Sequence, residues 1–287
     1  MADFKFLKDS LGKWVISAPK RAVRPNEAKG DDPVCPFCPK LHGEEKELYR
    51  VGGEGIGWKV LVVENKYPFS EAHEIIIHSP DHHKNFDELP LPQNELILQT
   101  FRKRYNDHKD KGQVYIFHNK GEKSGESLTH PHSQLAVIPK RVKLDIPSLD
   151  RSDNTGVFDA GLFDIFCPKT SRWPDEIWVC PKNKGKVFGE ITPEEIKVFA
   201  KVLYRLIQVM DIRHGHEFSF NFYIYPGKDW YLRLIPREKI LGGFELGTGV
   251  IVNTQDPAET FNFIKEHFNE PDVEKIRENR AEYHRKA

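Results

Sequence analysis

The chain has 287 residues, enough for about two ordinary domains or one larger α/β body with a real core. Lys and Arg together number 43, as do Asp and Glu, so the formal charge is zero and the basic excess of a duplex-binding protein is missing. Four cysteines make no disulfide scaffold, no stretch reaches the roughly 18 apolar residues of a membrane span, and the charged start (Asp3, Lys5, Lys8, Asp9) does not read as a signal peptide; the expectation is a cytoplasmic, reduced protein with neither membrane nor nucleic acid as partner.

In chain order, the first apolar element is Lys13–Ser17, followed by the basic turn Ala18–Pro25. Asp31–His42 is rich in Pro, Cys and Gly and reads as a loop. Trp58–Glu64 and Glu74–His78 are short, β-branched runs that predict strands. Pro92–His108 has helical spacing, and Gln113–Phe117 and Leu135–Ile138 predict further strands.

The second part repeats this order. Glu176–Val179 predicts a strand. Thr192-Pro193-Glu194-Glu195 is a helix start, with Thr as N-cap, Pro in the first turn and Glu three residues on. Ile196, Phe199, Leu203, Leu206 and Met210 follow at helical spacing. Phe218–Tyr225 and Tyr231–Ile235 predict strands, Asp256-Pro257 with Glu259 starts a last amphipathic helix, and the tail Pro271–Ala287 reads as a surface helix or a frayed end. Strand 74–77 answers to 176–179, and Val137-Ile138-Pro139-Lys140 to Leu234-Ile235-Pro236-Arg237. The simplest account is a tandem α+β repeat, with halves at 1–145 and 146–287.

The segment Asn119–Gln134 (NKGEKSGESLTHPHSQ) lies between two predicted strands and gathers Gly, Ser and His. In extended backbone, alternating residues share a face, so His132 and Gln134 can address one ligand side by side. Gly125 and Ser127 can offer a backbone N–H and a hydroxyl to phosphate oxygens. A lone histidine is usually a surface or satisfied core residue; H-P-H-S-Q after a Gly/Ser loop is a much stronger signal. Cys35-Pro-Phe-Cys38-Pro is a two-thiol knuckle suited to tetrahedral Zn²⁺, and a second pair of ligands is to be sought among His82, His83 and His130.

These motifs resemble those of the galactose-1-phosphate uridylyltransferase family, in the histidine-triad superfamily, and are most similar to the branch that includes ADP-glucose phosphorylase. The matching stretches are SAPKRAVRP (17–25), CPFCP (35–39), VVENKYPF (62–69), HSPDHH (78–83), FHNKG (117–121), GESLTHPHSQ (125–134), PDEIWVCPK (174–182) and GGFELGTG (242–249). The resemblance implies two histidine-triad-like halves, each an antiparallel sheet with helices packed on it, the first carrying the nucleophile and the zinc site, in a homodimer. It implies His132 as nucleophile, and one structural Zn²⁺ on Cys35, Cys38, His82 and His130. Nucleotide contacts are implied at Arg21, Arg24, Asn65, Lys66, Asn119, Gly125, Glu126, Ser127 and Gln134. Phe244 and Glu245 match positions that face the hexose phosphate of the opposite active site. Two departures matter. The H-x-H that in many relatives helps hold a second metal is replaced by Lys228-Asp229-Trp230-Tyr231, and the second CxxC of the plant-type branch has no counterpart in Leu149–Gly156, so one metal site is expected.

The residue types fit the implied chemistry. A neutral imidazole is a good nucleophile near pH 7. His132 attacking the α-phosphorus of a nucleotide sugar gives a nucleotidyl-histidine and ping-pong exchange. The leaving sugar 1-phosphate is a stable anion, so Gln134, which cannot pass a proton, suffices beside it and argues for transfer over hydrolysis. The expected activity is a UDP-glucose:hexose-1-phosphate uridylyltransferase-like reaction of galactose metabolism. The alternatives are phosphorolysis of an ADP-glucose-type substrate by inorganic phosphate, and a non-enzymatic, zinc-stabilised nucleotide-binding protein.

Overall fold

The computed structural model describes residues 4–25, 35–38 and 45–286. A two-stranded hairpin, β1 (Lys5–Lys8) and β2 (Trp14–Ser17), precedes the main body. The first half then runs β3 (Glu47–Gly52), β4 (Trp58–Glu64), β5 (His73–Ile77), α1 (Leu91–His108), β6 (Gln113–Lys120) and β7 (His132–Ile138). The second runs β8 (Phe158–Ala160), β9 (Phe163–Phe166), β10 (Ile177–Pro181), α2 (Pro193–His214), β11 (Phe220–Ile224) and β12 (Leu232–Pro236). Three helices close the chain: α3 (Gly243–Thr248), α4 (Pro257–His267) and α5 (Val273–Lys286).

The order of strands is β3-β4-β5-β7-β6-β11-β12-β10-β9-β8, all antiparallel. Read inward from its two ends, the sheet repeats one pattern: three strands in chain order, then the fifth, then the fourth. The tandem α+β halves expected from the sequence are therefore present, and they fuse edge to edge. β6 pairs with β11, setting Ile116 opposite Ile224 and His118 opposite Phe222, so two five-stranded sheets become one of ten.

α1 and α2 lie on the same face of this sheet and pack on each other. Ile97, Leu98, Phe101 and Tyr105 of α1 and Ile196, Phe199, Leu203 and Met210 of α2 join one core with Val60, Val62, Ile116, Leu135, Phe222 and Leu234. The predicted α2 start holds: Thr192 Oγ1 accepts from the Glu195 N–H at 3.1 Å, and Glu195 Oε2 accepts from the Thr192 N–H at 2.7 Å. Cys167 and Cys180 are fully buried packing residues.

Several boundaries differ from the sequence expectation. β6 runs on to Lys120 and β7 begins at His132, so Asn119, His132 and Gln134 stand on strands rather than in a loop. β1, β3, β8, β9 and α3 were not visible in the periodicity; β8 and β9 are only 3 and 4 residues long. The tail is a docked helix. Ile276 is buried, and Asn279 Nδ2 donates to the Asp211 carbonyl (2.9 Å) and carboxylate (3.0 Å). Among the described residues, no helix is long and apolar enough to cross a membrane.

Candidate active site

The sheet face opposite α1 and α2 carries the chemistry. On β7, Leu135 and Val137 enter the helical core, which turns His132 and Gln134 to the other side. There they line a cleft of about 210 Å³ with Arg21, Arg24, Asn65, Lys66 and Ser127, while Phe37, Val63, Ile75 and Leu128 supply apolar wall.

The tautomer of His132 follows from its surroundings. Its Nδ1 lies 2.8 Å from the His130 carbonyl, which can only accept, so Nδ1 carries the proton and Nε2 is the lone-pair nitrogen. The strand beneath is fixed from the core side. His118 Nδ1 donates to the His132 carbonyl at 2.9 Å, and Ser133 Oγ is 2.8 Å from His78 Nε2. His78 and His118 are fully buried and stacked at 5.3 Å; burial first, then the neighbouring histidines, holds His78 well below its usual pKa, so it stays neutral.

Arg21 and Arg24 give the cleft its positive character. Arg21 Nη1 donates to the Tyr67 carbonyl at 2.5 Å, and its guanidinium sits 5.0 Å from the Phe69 ring centroid. Burial, and then the charge of Arg24, lowers Arg21 to about 10; burial lowers Arg24 as well. Neither has a carboxylate partner among the described residues, so two partly desolvated cations face a space that suits phosphate oxygens. Lys66 pairs with Glu45 at 2.7 Å, and Asn65 Oδ1 accepts from the Tyr67 N–H at 2.8 Å.

The remaining expected contacts are placed differently. Asn119 Oδ1 accepts from Asn221 Nδ2 at 2.8 Å across the β6–β11 seam, and Asn119 does not line the cleft. Gly125, at φ +82°, ends the short turn before Glu126. Glu126 is buried, and its Oε2 accepts from the Gly121 N–H at 2.7 Å; it lines a neighbouring, wider cleft that shares Ser127. Phe244 and Glu245 stand on α3, outside the cleft of their own chain. Phe244 is 57 % exposed, and Glu245 pairs with Lys239 at 2.7 Å and caps its helix through the Gly242 N–H.

Beside the cleft, Cys35, Cys38, His82 and His130 bring one ligand atom each to within 4.8 Å of one another. Cys35 Sγ is 3.6 Å from His130 Nδ1, Cys38 Sγ is 3.7 Å from the same nitrogen, and Cys38 Sγ is 3.2 Å from His82 Nδ1. Such spacings match the edges of a tetrahedron with metal–ligand bonds of about 2.0–2.3 Å. The far nitrogens are oriented in the way metal sites require: His130 Nε2 lies 2.9 Å from the Ser79 carbonyl, and His82 Nε2 3.2 Å from Thr129 Oγ1. Of the three histidines left open by the knuckle, His83 alone stays outside the cluster. The group can hold a metal ion, and the donor set fits zinc. Two further groups, Asp87/Asp211/His216 and Glu88/His216/Glu217, also bring their ligand atoms within 4.8 Å of one another. They belong to an ion-pair network in which Arg280 of α5 binds Asp87 and Lys120 binds Glu217.

Two contributions escaped the sequence reading. Phe37, between the two cysteines, is 5 % exposed, and its ring meets the His132 ring edge-on at 5.2 Å, so the knuckle forms a wall of the cleft. His73 contacts Gln134 from β5.

The family model described as galactose-1-phosphate uridyl transferase, N-terminal domain, matches residues 71–137. The chain is 25% identical to an ADP-glucose phosphorylase of Arabidopsis thaliana over 88% of its own length and 90% of the relative's. It is 24% identical to a galactose-1-phosphate uridylyltransferase of Thermotoga maritima over 88% and 95% of the two chains. Among solved structures, the Arabidopsis thaliana ADP-glucose phosphorylase with bound ADP-glucose superposes with TM-score 0.72 at 24% identity, over 92% of this chain and 99% of that one. A uridylyltransferase does so with TM-score 0.74 at 22% identity, over 91% and 97%. These likenesses show a shared fold along nearly the whole chain.

Proposed function

We propose, for a chain related to the galactose-1-phosphate uridylyltransferases and to ADP-glucose phosphorylase, that it is a nucleotidyltransferase moving a nucleoside monophosphate between a nucleotide sugar and a hexose 1-phosphate. The observation that carries this reading is the His132 ring. Its Nδ1–H is held by the His130 carbonyl, and it lines a cleft with two arginines that have no carboxylate partner among the described residues.

Nε2 attacks the α-phosphorus, the bond from that phosphorus to the bridging oxygen breaks, and the electron pair leaves with the sugar 1-phosphate. The nucleotidyl-imidazolium keeps its proton on Nδ1 and donates it to the His130 carbonyl, which stabilises the new positive charge. A phosphate oxygen of the acceptor then attacks the same phosphorus and returns Nε2 to the lone-pair state. No proton moves in either step, and that is why an amide at Gln134 serves where a hydrolase needs a third imidazole. Arg21 and Arg24 hold the non-bridging oxygens, and Phe37, Val63, Ile75 and Leu128 hold the base. A second acceptor, inorganic phosphate, is favoured by the full-length likeness to ADP-glucose phosphorylase and uses the same intermediate.

The metal is read as one structural zinc on Cys35, Cys38, His82 and His130. The halves are read as dividing near residue 145, in the connection between β7 and β8. Dimerisation is supported by the exposed apolar run Ile240, Phe244, Leu246, Val250 and Val252; a monomeric mass in solution would sink it. The free cysteines and the nucleotide-sugar chemistry suit the cytoplasm.

The test is incubation with UDP-glucose or ADP-glucose labelled at the α-phosphate. Wild type should take up acid-labile label that a hexose 1-phosphate or phosphate discharges, and His132→Ala should take up none while keeping its fold and zinc. No label from either nucleotide sugar, or label on His132→Ala, overturns the reading.

A further inference from the structure

On the reading that His132 carries the nucleotidyl group, we propose that His73 is a positioning residue: its ring holds the Gln134 carbonyl oxygen and thereby turns the Gln134 amide hydrogens toward the reacting phosphate. His73 opens β5, is 2 % exposed, and is not among the residues lining the cleft.

Its tautomer is assigned from its partners. The Phe69 backbone N–H donates to Nδ1 at 3.3 Å. A backbone amide has only a hydrogen to offer, so Nδ1 is bare and the single proton sits on Nε2. Nε2 lies 3.0 Å from Gln134 Oε1 and donates to it. Asn65 Nδ2 is 3.2 Å from the same Nε2; both are donors in this tautomer, so that approach is no hydrogen bond, and the tautomer rests on the Phe69 and Gln134 contacts. The Phe69 ring packs on His73 at 4.1 Å and also carries the Arg21 guanidinium at 5.0 Å. Burial first, with the charges of Arg21 and Arg24 adding to it against the Gln134 bond, brings the imidazole down to about 3. The ring therefore stays neutral, with one donor and one acceptor, across the working range.

The chemical consequence concerns which end of the amide faces substrate. With Oε1 committed to His73, only the NH₂ group of Gln134 is left for the cleft. It can donate to a phosphoryl oxygen whose charge grows in the transition state. It cannot accept a proton from water. A Gln134 free to rotate could present its oxygen to a water molecule near the nucleotidyl-histidine. His73 thus favours transfer twice, by aiming a donor and by withholding an acceptor.

The experiment is a double-mutant cycle on the holoprotein, using His73→Phe, which keeps ring volume beside Phe69 but has no donor, and Gln134→Ala. Rapid-quench labelling from the nucleotide sugar that labels wild type is followed at saturation and at half-saturation. Loss of one hydrogen bond to a charged transition state should slow labelling by about 10- to 100-fold at saturation, with the half-saturating concentration unchanged. In the Gln134→Ala background, His73→Phe should cause no further loss. His73→Phe should also raise the share of label released as free nucleotide. An equal loss in both backgrounds, or no loss, overturns the proposal. If the variant does not fold, ¹⁵N spectra of wild-type histidines decide: a proton on His73 Nδ1 rather than Nε2 overturns it. A wild type that takes no label sinks the reading of function, while the spectra still decide the tautomer.

Discussion

Cys35→Ser tests whether the thiol knuckle is both a metal site and a wall of the active site. The hydroxyl is a poor zinc ligand, so the four-atom cluster at Cys35, Cys38, His82 and His130 loses a corner. Phe37 is held between the two cysteines and is 95 % buried against Trp58, Leu61, Val63, Ile75 and Ile77. Burying a phenylalanine contributes about 1.5–3 kcal/mol. If the freed knuckle releases this ring, the loss is about 2–3 kcal/mol, or a fall of about 4–12 °C in Tm at roughly 2–4 °C per kcal/mol. The Phe37 ring also abuts His132, so nucleotide affinity should fall, though less markedly than stability. Zinc content by mass spectrometry, Tm and label uptake are measured together. Wild type should hold about one zinc per chain and Cys35→Ser much less. Phe37→Leu separates the roles: it should keep the metal, lose about 1 kcal/mol and still weaken nucleotide binding. Full zinc content with an unchanged Tm in Cys35→Ser refutes the reasoning.

Gln134→His should raise the release of free nucleotide when no phosphate acceptor is present, because an imidazole relays a proton from water where an amide cannot; wild-type levels of hydrolysis in this variant count against the role given to the amide. The second expectation concerns the buried pair at the start of β5. Glu74 accepts from Arg104 Nε (2.9 Å) and Nη2 (2.6 Å) and meets His108 Nε2 at 2.6 Å. Burial pushes its carboxyl up, but the Arg104 and His108 bonds outweigh this and hold it below 4.5. A depressed folded pKa gives stability that is complete above the unfolded value and lost as pH falls through the folded one. Denaturant midpoints should therefore drop below about pH 4.5, and Glu74→Gln, which leaves the half-buried Arg104 with Asp107 alone as its carboxylate, should cost about 1.5–3 kcal/mol and flatten that drop. An acid limb of unchanged depth in Glu74→Gln contradicts the assignment.

The legible parts of the site are those where chemistry is concentrated locally. H-P-H-S-Q announces His132 and Gln134 because alternation alone places them on one face. The residues alone do not choose His82 over His83, since both follow Asp81 on a turn without periodicity; the family resemblance picks His82, and closure of the chain onto Cys38 agrees with it. His73 was hidden for a similar reason. It lies one residue before the predicted strand Glu74–His78, and its meaning comes from a cross-strand neighbour 61 positions away. The repeat was visible in the order of elements, yet its fusion into one sheet was not. β6 and β11 are each plausible edge strands, and alternating Val114, Ile116 and Phe220, Phe222, Ile224 do not say that they meet.

The two halves share one pattern of strands but use the open face differently. In the first half that face is hollow beside His132, walled by a metal-suited knuckle and lined by arginines. In the second, Glu176, Trp178 and Arg233 line a cleft of about 340 Å³, and beneath it the ring and ion contacts are close. Trp178 stacks on Tyr231 at 4.1 Å, Tyr225 stacks on the same ring at 5.2 Å, and the Arg233 guanidinium is clamped by both oxygens of buried Glu176 at 2.7 Å. No histidine stands on β12, the strand that answers to β7. A hollow, polar, positively charged site destabilises the sheet that carries it, because desolvated arginines and an unfilled face give little packing energy. The aromatic stack of the second half supplies packing on the same continuous sheet, with β11 and β6 between β12 and β7. With β6 and β11 joined, the cleft beside His132 and the aromatic stack lie on one hydrogen-bonded sheet, so packing in one half supports the strands that carry the other.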